Sequence, residues 1–298
     1  MKIGFVGLGA MGVPMAINLV KAGHAVRGFD VRAGAADALV AAGGSAASSA
    51  ASSAADAARD AELLWLMVVS GEQAESVLFE HGAAAALPKG AIVALGCTQA
   101  PANAVRTAER LAAMGLFTLD APVSGGTKGA NAAALTIMCS GDEAVFARAR
   151  PVLDAMGSRV FDCGRASGMG STAKMINQLL CGVHIAAAAE AMHIAERAGV
   201  STATMHEIIS VSAGNSWMWG DRGPRMMQDD PAVTSAVDIF VKDLGIVLGE
   251  ARALKAGLPL SAAAMQMFLA ASGLGHGAAD DSQVIRAYRA LNGAGAKQ

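Results

Sequence analysis

The sequence predicts a doubly wound α/β domain at the N-terminus, followed by an all-helical C-terminal domain. In the first half of the chain, short apolar runs alternate with helical stretches, which is typical of βαβ units and a parallel sheet. A glycine-rich turn separates the first apolar run from the first helical stretch. After Gly164 the strand-like runs stop and only helical patterns follow. Because single cores rarely grow beyond roughly 250 to 300 residues, a chain of 298 residues suits two domains.

Seven short runs in the first half have the length and the branched, apolar composition of buried strands. Three helical stretches between them end at or just before glycine, as helices often do. An Ala- and Ser-rich segment, residues 46–58, lies between strand signals and is predicted to hold a short strand and a helix. The predicted strands are 2–6, 25–29, 63–69, 91–95, 118–120, 135–139 and 160–162, and the helices are 11–22, 35–42 and 101–113.

The C-terminal domain is predicted to begin with one long helix. Residues 171–198 form the longest uninterrupted helical pattern, about 40 Å at 1.5 Å per residue, and it is apolar on nearly every face. Such a helix is expected to be buried between the two halves or between subunits. The small polar stretch 165–168 precedes it, which predicts domains of residues 1–165 and 166–298.

The amino-acid composition indicates which kinds of partner the protein has. Apolar residues make up 53% of the chain and small side chains dominate, which favours close helix packing and a homo-oligomer, a dimer or a tetramer. A formal net charge of −2 provides no basic field for nucleic acid. The four scattered cysteines lack metal-ligand spacing and are expected to be free thiols.

No membrane partner is expected. Glycines interrupt the apolar N-terminal run before a signal peptide is complete. The longest apolar helical stretch, residues 179–189, contains His184 and is flanked by polar side chains that hydrocarbon disfavours. We therefore expect a soluble, cytoplasmic protein.

The run Gly7-Leu8-Gly9-Ala10-Met11-Gly12 is a G-x-G-x-x-G motif between a predicted strand and a predicted helix. In this context Gly7 permits the tight turn, Gly9 lets a pyrophosphate approach the backbone, and Gly12 allows the helix to pack on the strand. The helix N-terminus then offers oriented N–H groups to the phosphates. The motif predicts a Rossmann-type dinucleotide site.

Asp30 ends the second predicted strand, where an acidic side chain accepts hydrogen bonds from both ribose hydroxyls of NAD and repels a 2′-phosphate. The predicted cofactor is therefore NAD. Arg32, two residues on, could pair with a phosphate, so use of NADP stays open. The alternative for Asp30 is an ordinary turn residue at a strand end.

Four motifs spread over the whole chain occur in one order. They are GFVGLGAMGVPMAINLVKAGH at residues 4–24, DAPVSGG at 120–126, GMGSTAKMINQ at 168–178 and KDLG at 242–245. In these motifs the chain resembles the β-hydroxyacid dehydrogenase family. The resemblance implies an NAD-dependent dehydrogenase that acts on the hydroxyl group of a small hydroxy acid.

The resemblance also implies roles for individual residues. Lys174 takes the place of the acid–base residue. The substrate is held by Ser124, Gly125, Gly126, Lys174 and Gln178, the last at a position where many relatives carry Asn. The implied cofactor contacts are Gly7, Leu8, Gly9, Ala10, Met11, Gly12, Asp30, Val31, Arg32, Val69, Thr98 and Lys242; no metal is implied.

The residue types fit this chemistry. Oxidation of a hydroxyl group needs a base for its proton, and a lysine on an apolar helix is rarely idle because an isolated ammonium is costly there. A free lysine titrates at about 10.4, so we expect burial and the cation Lys242 to lower the pKa of Lys174. The alternatives are a lysine that snorkels at the helix start and a surface pair between Lys242 and Asp243.

Two positions depart from the family pattern. Gly96 and Cys97 precede Thr98, where serines are common, and Ala133 replaces a usual glycine after the substrate loop. These departures put the local loop geometry in question.

The stretches LLCGVHIAAAAEAM, AGNSWM and SAVDIFVKDLG most resemble members that oxidise the C2 hydroxyl of a four-carbon sugar acid. Tartronate semialdehyde or 3-hydroxyisobutyrate chemistry is the alternative among enzymes. Imine reduction is disfavoured, because imine reductases of this architecture usually replace the lysine. A non-catalytic cofactor-binding module is the alternative from another class, since folds of this type also serve such functions.

Overall fold

Six parallel strands form the main sheet in the computed structural model, which describes residues 1–47 and 54–293. The strand order 3-2-1-4-5-6 changes direction between strands 1 and 4, the point at which doubly wound sheets bind ligands. The predicted doubly wound fold is confirmed. The strands are β1 (Lys2–Val6), β2 (Ala25–Phe29), β3 (Ser45–Ala46), β4 (Leu63–Leu66), β5 (Ile92–Leu95) and β6 (Phe117–Asp120).

A second, three-stranded sheet follows, which the sequence analysis did not separate from the first. It contains β7 (Val123–Ser124), β8 (Leu135–Cys139) and β9 (Gly157–Asp162), in that spatial order. The chain turns back after β6, so that β7 pairs antiparallel with β8, while β8 and β9 are parallel. The assignment of runs 135–139 and 160–162 to one parallel sheet with the others was wrong, and β9 begins three residues earlier than predicted.

Two predictions about strands concern the end of β4 and the Ala- and Ser-rich segment 46–58. The predicted strand 63–69 was too long, because β4 ends at Leu66. Beyond it, the Met67 carbonyl packs against the turn at Gly7, and Val69 is half-exposed. In the segment 46–58, the predicted helix is present at Ala54–Ala58, whereas the short strand, Ser45–Ala46, begins before the segment and only its last residue lies in it. Residues 48–53 lie outside the described part.

Helices cover both faces of the main sheet, and two apolar clusters form the core of the part of the chain that contains the sheets. One cluster includes Phe5, Met15 and Trp65 on one side of the sheet, and the other includes Leu64, Leu78 and Leu111. The helices are α1 (Gly12–Lys21), α2 (Asp37–Ala41), α3 (Ala54–Ala58), α4 (Gly71–Glu75) with a π-helical turn at Ser76–Glu80, α5 (Ala83–Ala86), α6 (Pro101–Ala113), α7 (Gly126–Asn131) and α8 (Glu143–Asp154).

The remaining elements are helical and share a separate core that includes Met192, Phe240 and Phe268. This confirms the predicted all-α C-terminal domain. The helices are α9 (Met169–Ala198), α10 (Thr202–Ser210), α11 (Trp217–Met226), α12 (Val237–Ala253), α13 (Pro259–Ala271) with a π-helical turn at Ser272–His276, and α14 (Ile285–Leu291) after a 3-10 turn at Asp281–Val284.

Contacts divide the chain into two compact units between Lys174 and Met175. The division falls inside α9, a few residues after the predicted boundary at 165/166. The reason is local: the backbone N–H groups of Gly170 and Ser171 donate to Ser140 and Asp120 of the first unit. The first turns of α9 therefore belong with the sheets.

The long helix predicted over residues 171–198 is present as α9, which begins two residues earlier, at Met169. By length and composition it is the one described helix that could cross a membrane, and half of its most apolar window is buried inside the protein. It also buries polar side chains, among them Lys174, Gln178 and His193, which is typical of a core helix. Ile176, Leu180 and Ile194 are exposed on another side of it.

A buried ionic network holds α11 in the C-terminal unit. Arg222 donates from Nε and Nη2 to the two carboxylate oxygens of Asp281, each at 2.8 Å. Asp281 is fully buried. Arg225 and the backbone N–H of Thr234 each donate to Asp280 at 3.0 Å. Loss of one partner leaves a charge in a site that water does not reach.

We expect Asp281→Asn to destabilise the C-terminal unit by about 3 to 5 kcal/mol, because Arg222 then lacks its bidentate partner. Urea unfolding followed by circular dichroism measures this loss. The matched control is the double variant Arg222→Met/Asp281→Leu, which removes both charges and should be less destabilised than the single variant. Equal losses in both proteins would contradict an electrostatic origin.

Candidate active site

The glycine turn lies between β1 and α1, at the carboxyl edge of the main sheet. Gly7 has a φ of +96°, and a Cβ there would lie 2.3 Å from the Met67 carbonyl oxygen. A Cβ at Gly12 would lie 1.8 Å from the Gly7 carbonyl oxygen. The fold itself therefore requires glycine at both positions.

Gly9 differs from these two glycines. The nearest atom to a Cβ built there is Arg32 Nη2, at 3.9 Å. Packing within the chain therefore does not require a glycine at this position, and the backbone of Gly9 is open to a ligand. This open backbone at the start of α1 fits the pyrophosphate of a dinucleotide.

Asp30 links the glycine turn to the end of β2. Its carboxylate accepts hydrogen bonds from Leu8 N–H (2.8 Å) and from the backbone N–H and Nε of Arg32 (2.9 and 3.0 Å). Burial alone raises the pKa of Asp30, but these hydrogen bonds and the Arg32 charge outweigh it, so the net pKa lies below its usual value. Asp30 is thus both a turn residue and an ionised acceptor at the predicted ribose position.

The other predicted cofactor residues of this unit follow strands of the same sheet. Val31 and Arg32 come after β2, Val69 after β4 and Thr98 after β5. Because the carboxyl ends of parallel strands share one edge, all of them lie on the side of the sheet that carries the glycine turn. Lys242 lies on α12 of the C-terminal unit.

The predicted substrate loop begins on β7. Gly125 and Gly126 follow Ser124 with φ values of +125° and +59°, conformations that glycine adopts without strain. A Cβ at Gly126 would meet no atom within 4 Å, so its backbone is open. The loop thus presents backbone N–H groups of the kind that bind a carboxylate.

Both departures from the family pattern fit their surroundings. A Cβ at Gly96 would lie 2.5 Å from Trp65 Nε1, so a serine there would collide with this buried side chain. Ala133 keeps the left-handed backbone of a glycine, with a φ of +51°. That conformation costs a non-glycine residue about 1 kcal/mol or more.

Asp120, at the end of β6, lies in the motif DAPVSGG and was not among the predicted site residues. Ser171 donates to its carboxylate from the backbone N–H and from Oγ, each at 2.7 Å. Burial raises its pKa to about 6, although all of its hydrogen bonds favour the charged form. An acidic residue at the end of a buried strand was the available signal.

Lys174 lies one helical turn after Ser171. It is 7% exposed, so the alternative of a lysine that snorkels into solvent does not describe it. A buried amine of this type is suited to acid–base chemistry. Its role in catalysis stays a prediction.

In the C-terminal unit, Gln178 and Lys242 share one carboxylate. Gln178 Nε2 donates to Asp243 Oδ2 at 2.5 Å, and Lys242 Nζ lies 2.6 Å from Asp243 Oδ1. Asp243 is 2% exposed, so the pair is not the surface pair that we considered. The negative charge of Asp243 offsets the positive charge of Lys242. This weakens the effect that the Lys242 charge could exert on the pKa of another amine.

Within residues 1–47 and 54–293, no three His, Cys, Asp or Glu side chains are grouped so that they could hold a metal ion. All four cysteines are free thiols, and Cys97 and Cys139 are buried.

Comparison with known proteins extends these observations over both units. Residues 2–164 match the family described as "NAD binding domain of 6-phosphogluconate dehydrogenase", and residues 168–288 match "NAD-binding of NADP-dependent 3-hydroxyisobutyrate dehydrogenase". An L-threonate dehydrogenase of Cupriavidus necator is 45% identical over 288 residues, 96% of each chain. A 3-hydroxyisobutyrate dehydrogenase of Pseudomonas aeruginosa is 37% identical and covers 96% of this chain and 98% of its own.

The fold agrees with a solved structure as well. The crystal structure of a 3-hydroxyisobutyrate dehydrogenase from Salmonella typhimurium has a TM-score of 0.90 and 44% identity, over 96% of this chain and 99% of that one.

The glycine turn yields a test of the cofactor site. We expect Gly9→Ala to keep the unfolding temperature of the parent protein, since the added methyl group meets open space, and to weaken NAD binding about tenfold, or 1.4 kcal/mol. Gly7→Ala is the matched comparison and should lose about 1 to 3 kcal/mol of stability through its backbone conformation. Calorimetric titration with NAD and thermal unfolding measure both; parental NAD affinity in Gly9→Ala would refute this cofactor position.

Proposed function

The chain is an NAD-dependent dehydrogenase of the β-hydroxyacid dehydrogenase family, and we propose that it oxidises the C2 hydroxyl of L-threonate, a four-carbon sugar acid, to the 2-oxo acid. The similarity to the L-threonate dehydrogenase, at 45% identity, exceeds that to the curated 3-hydroxyisobutyrate dehydrogenase, at 37%. Both similarities extend over almost the full length, so they concern the substrate-binding half as well as the cofactor domain.

The observation that carries the proposal is the buried Lys174 at the start of α9, in the same unit as an open substrate loop. NAD, when bound, supplies the hydride acceptor. Lys174 in its neutral form accepts the proton of the substrate hydroxyl. The loop Ser124 to Gly126 binds the carboxylate through backbone N–H groups and the serine hydroxyl. These roles account for the proton, the charge and the orientation that the reaction requires.

The C-terminal unit has two polar residues of its own that the family resemblance assigns to ligands, Gln178 and Lys242. Gln178 has an amide oxygen and an amide N–H₂ group, and the buried Asp243 holds the N–H₂ end. A fixed amide of this kind is suited to hydrogen-bond a substrate hydroxyl. Lys242 is assigned to the cofactor by the family resemblance, and Asp243 fixes its amino group.

A second candidate substrate is 3-hydroxyisobutyrate. The Salmonella structure with this name is 44% identical, nearly as similar as the L-threonate dehydrogenase. The two substrates differ in polarity, since the four-carbon sugar acid carries additional hydroxyl groups. A site that hydrogen-bonds those hydroxyls rejects an analogue without them by a large factor.

We expect the purified protein to reduce NAD with L-threonate faster than with 3-hydroxyisobutyrate or other small hydroxy acids. Lys174→Ala should lower kcat about 10³-fold, because the base for the hydroxyl proton is lost. Lys21→Ala, which removes an exposed lysine at the end of α1, is the control and should behave like the parent. Absorbance of NADH at steady state measures all of them; full activity of Lys174→Ala would eliminate the proposed mechanism.

We also infer a cytoplasmic homo-oligomer. The free thiols are typical of a reducing compartment. On α9 the exposed side chains Ile176, Leu180 and Ile194 follow each other at helical spacing. An apolar stripe of this kind on a long helix is typical of a subunit contact.

Leu180→Glu tests the oligomer. We expect a dimer or tetramer for the parent protein and a smaller species for the variant, because a carboxylate in an apolar subunit contact is costly. Light scattering after size-exclusion chromatography measures the mass. Glu207→Lys, a charge change on the exposed side of α10, should keep the parental mass; a monomeric parent would end the inference.

A further inference from the structure

One buried carboxylate joins the main sheet to the helix that carries Lys174. Asp120 ends β6 and is 1% exposed. Its Oδ2 accepts the backbone N–H of Ser171, and its Oδ1 accepts the hydroxyl of the same residue, each at 2.7 Å. Two hydrogen bonds from one residue to both carboxylate oxygens fix the orientation of the first turn of α9 as well as its position.

The surroundings of this contact leave the helix start little freedom. Ser140 accepts the N–H of Gly170 at 2.9 Å and donates to Asp120 Oδ2 at 3.4 Å. Backbone hydrogen bonds in both directions, at 3.0 and 2.8 Å, join Asp120 to Ser140. A Cβ at Gly170 would lie 2.4 Å from the Met138 carbonyl oxygen, so the helix backbone packs directly on the strands.

The same carboxylate lies at the base of the predicted substrate loop. Only Ala121, Pro122 and Val123 separate Asp120 from Ser124, and all three are buried. On the other side, Lys174 follows Ser171 by three residues, a rise of about 4.5 Å along the helix. Asp120 thus connects the two groups that, in the proposed function, hold the substrate carboxylate and take its proton.

We propose that Asp120 is a positioning residue, which sets the place of Lys174 relative to the loop Ser124 to Gly126 by anchoring the N–H and O–H groups of Ser171. This rests on the proposed function, in which Lys174 is the acid–base residue. Displacement of a reacting group by about 1 Å costs a factor of about 10² in rate, so the anchor has a direct effect on turnover.

The buried charge of Asp120 lowers the free energy of unfolding at neutral pH. Burial raises its pKa to about 6, so the folded protein binds this proton more tightly than the unfolded chain does. The contribution of this group to stability is therefore greatest at low pH and falls as the pH rises through 6. A buried charge that lowers stability at neutral pH is typical of a functional site.

The charge of Asp120 also predicts that activity falls at low pH; we call this fall the acid limit. Above pH 6 both oxygens accept hydrogen bonds from Ser171, whereas the protonated carboxyl has one oxygen that must itself donate. Asp120 should therefore add to the pH profile a loss of turnover with a midpoint near pH 6 as the pH decreases.

Apart from Lys174, whose neutral form the proposed reaction needs, the titratable groups around Asp120 do not account for such a loss of turnover. Burial, chiefly, raises the pKa of the Cys139 and Cys163 thiols, so both are neutral near pH 6. Asp162, the last residue of β9, is paired with Arg165 at 2.8 Å. On α8 the nearby cation, Arg150, is paired with Asp154 at 2.8 Å. On α9 the first titratable side chain is Lys174.

The test begins with Asp120→Asn, which keeps the shape but turns an amide N–H₂ group toward the donors of Ser171. We expect kcat to fall about 10- to 100-fold and the KM for NAD to change little. The pH dependence of kcat should lose the step near pH 6 that belongs to Asp120, while the loss caused by protonation of the base Lys174 stays. Hydrogen exchange of residues 168–174, measured by mass spectrometry without substrate, should become about tenfold faster.

A second variant keeps the test valid if the first does not fold. Ser171→Ala retains the backbone hydrogen bond and should lose less activity. Because the Ser171 hydroxyl lowers the pKa of Asp120, its removal should move the acid limit to higher pH. A purely structural role would not produce this shift.

The matched control is Asp142→Ala, which removes a carboxylate from the start of another helix. Asp142 begins α8 in the same unit, and its carboxylate accepts the N–H of Ala144 at 2.8 Å. Loss of this helix cap should speed exchange at the start of α8 but leave exchange of 168–174 and the pH dependence of kcat unchanged.

The proposal is overturned if exchange of 168–174 in Asp120→Asn equals that of the parent, or if exchange rises while kcat and its acid limit stay parental. If the parent oxidises no hydroxy acid, the proposed function fails by itself. The acylation rate of the Lys174 amine, measured by peptide mass spectrometry, then decides: a change in Asp120→Asn supports the positioning role, and no change overturns it.

Discussion

The arrangement of the N-terminal unit depends on the hydrogen bonds between Asp120 and Ser171. They hold the first turn of α9 against the ends of the strands, and the backbone there is so close that Gly170 has no room for a side chain. The division of the chain into units after Lys174 reflects this contact. A helix that continues into the C-terminal unit is thus anchored, at its start, in the sheet that carries the cofactor loop.

Buried carboxylates organise both units in a similar way. Asp120 holds the backbone before Lys174, and Asp243 holds the side chains of Gln178 and Lys242. An ionised carboxylate is costly to bury unless hydrogen bonds surround it. In both places the carboxylate is bound to groups that the proposed reaction uses. Burial of the carboxylate lowers stability, but it also fixes the positions of those groups.

The two positions that depart from the family pattern differ in how they fit the structure. Gly96 makes room for the buried Trp65, and Ala133 adopts the left-handed backbone that a glycine would adopt. The same reasoning separates the glycines of the cofactor turn. Gly7 and Gly12 are required by contacts within the chain, whereas Gly9 is left to a ligand.

The sequence by itself determined the fold class, the cofactor turn and β1, β2 and β8 with their observed limits, because side-chain periodicity and turn residues act over a few neighbouring positions. Tertiary structure alone decided the separate second sheet, the end of β4 at Leu66, and the choice of Ser171 and Gln178 as partners of Asp120 and Asp243. Those partners lie 51 and 65 residues away along the chain. Hydrogen bonds over such separations depend on how whole elements pack, which no local pattern in the sequence encodes.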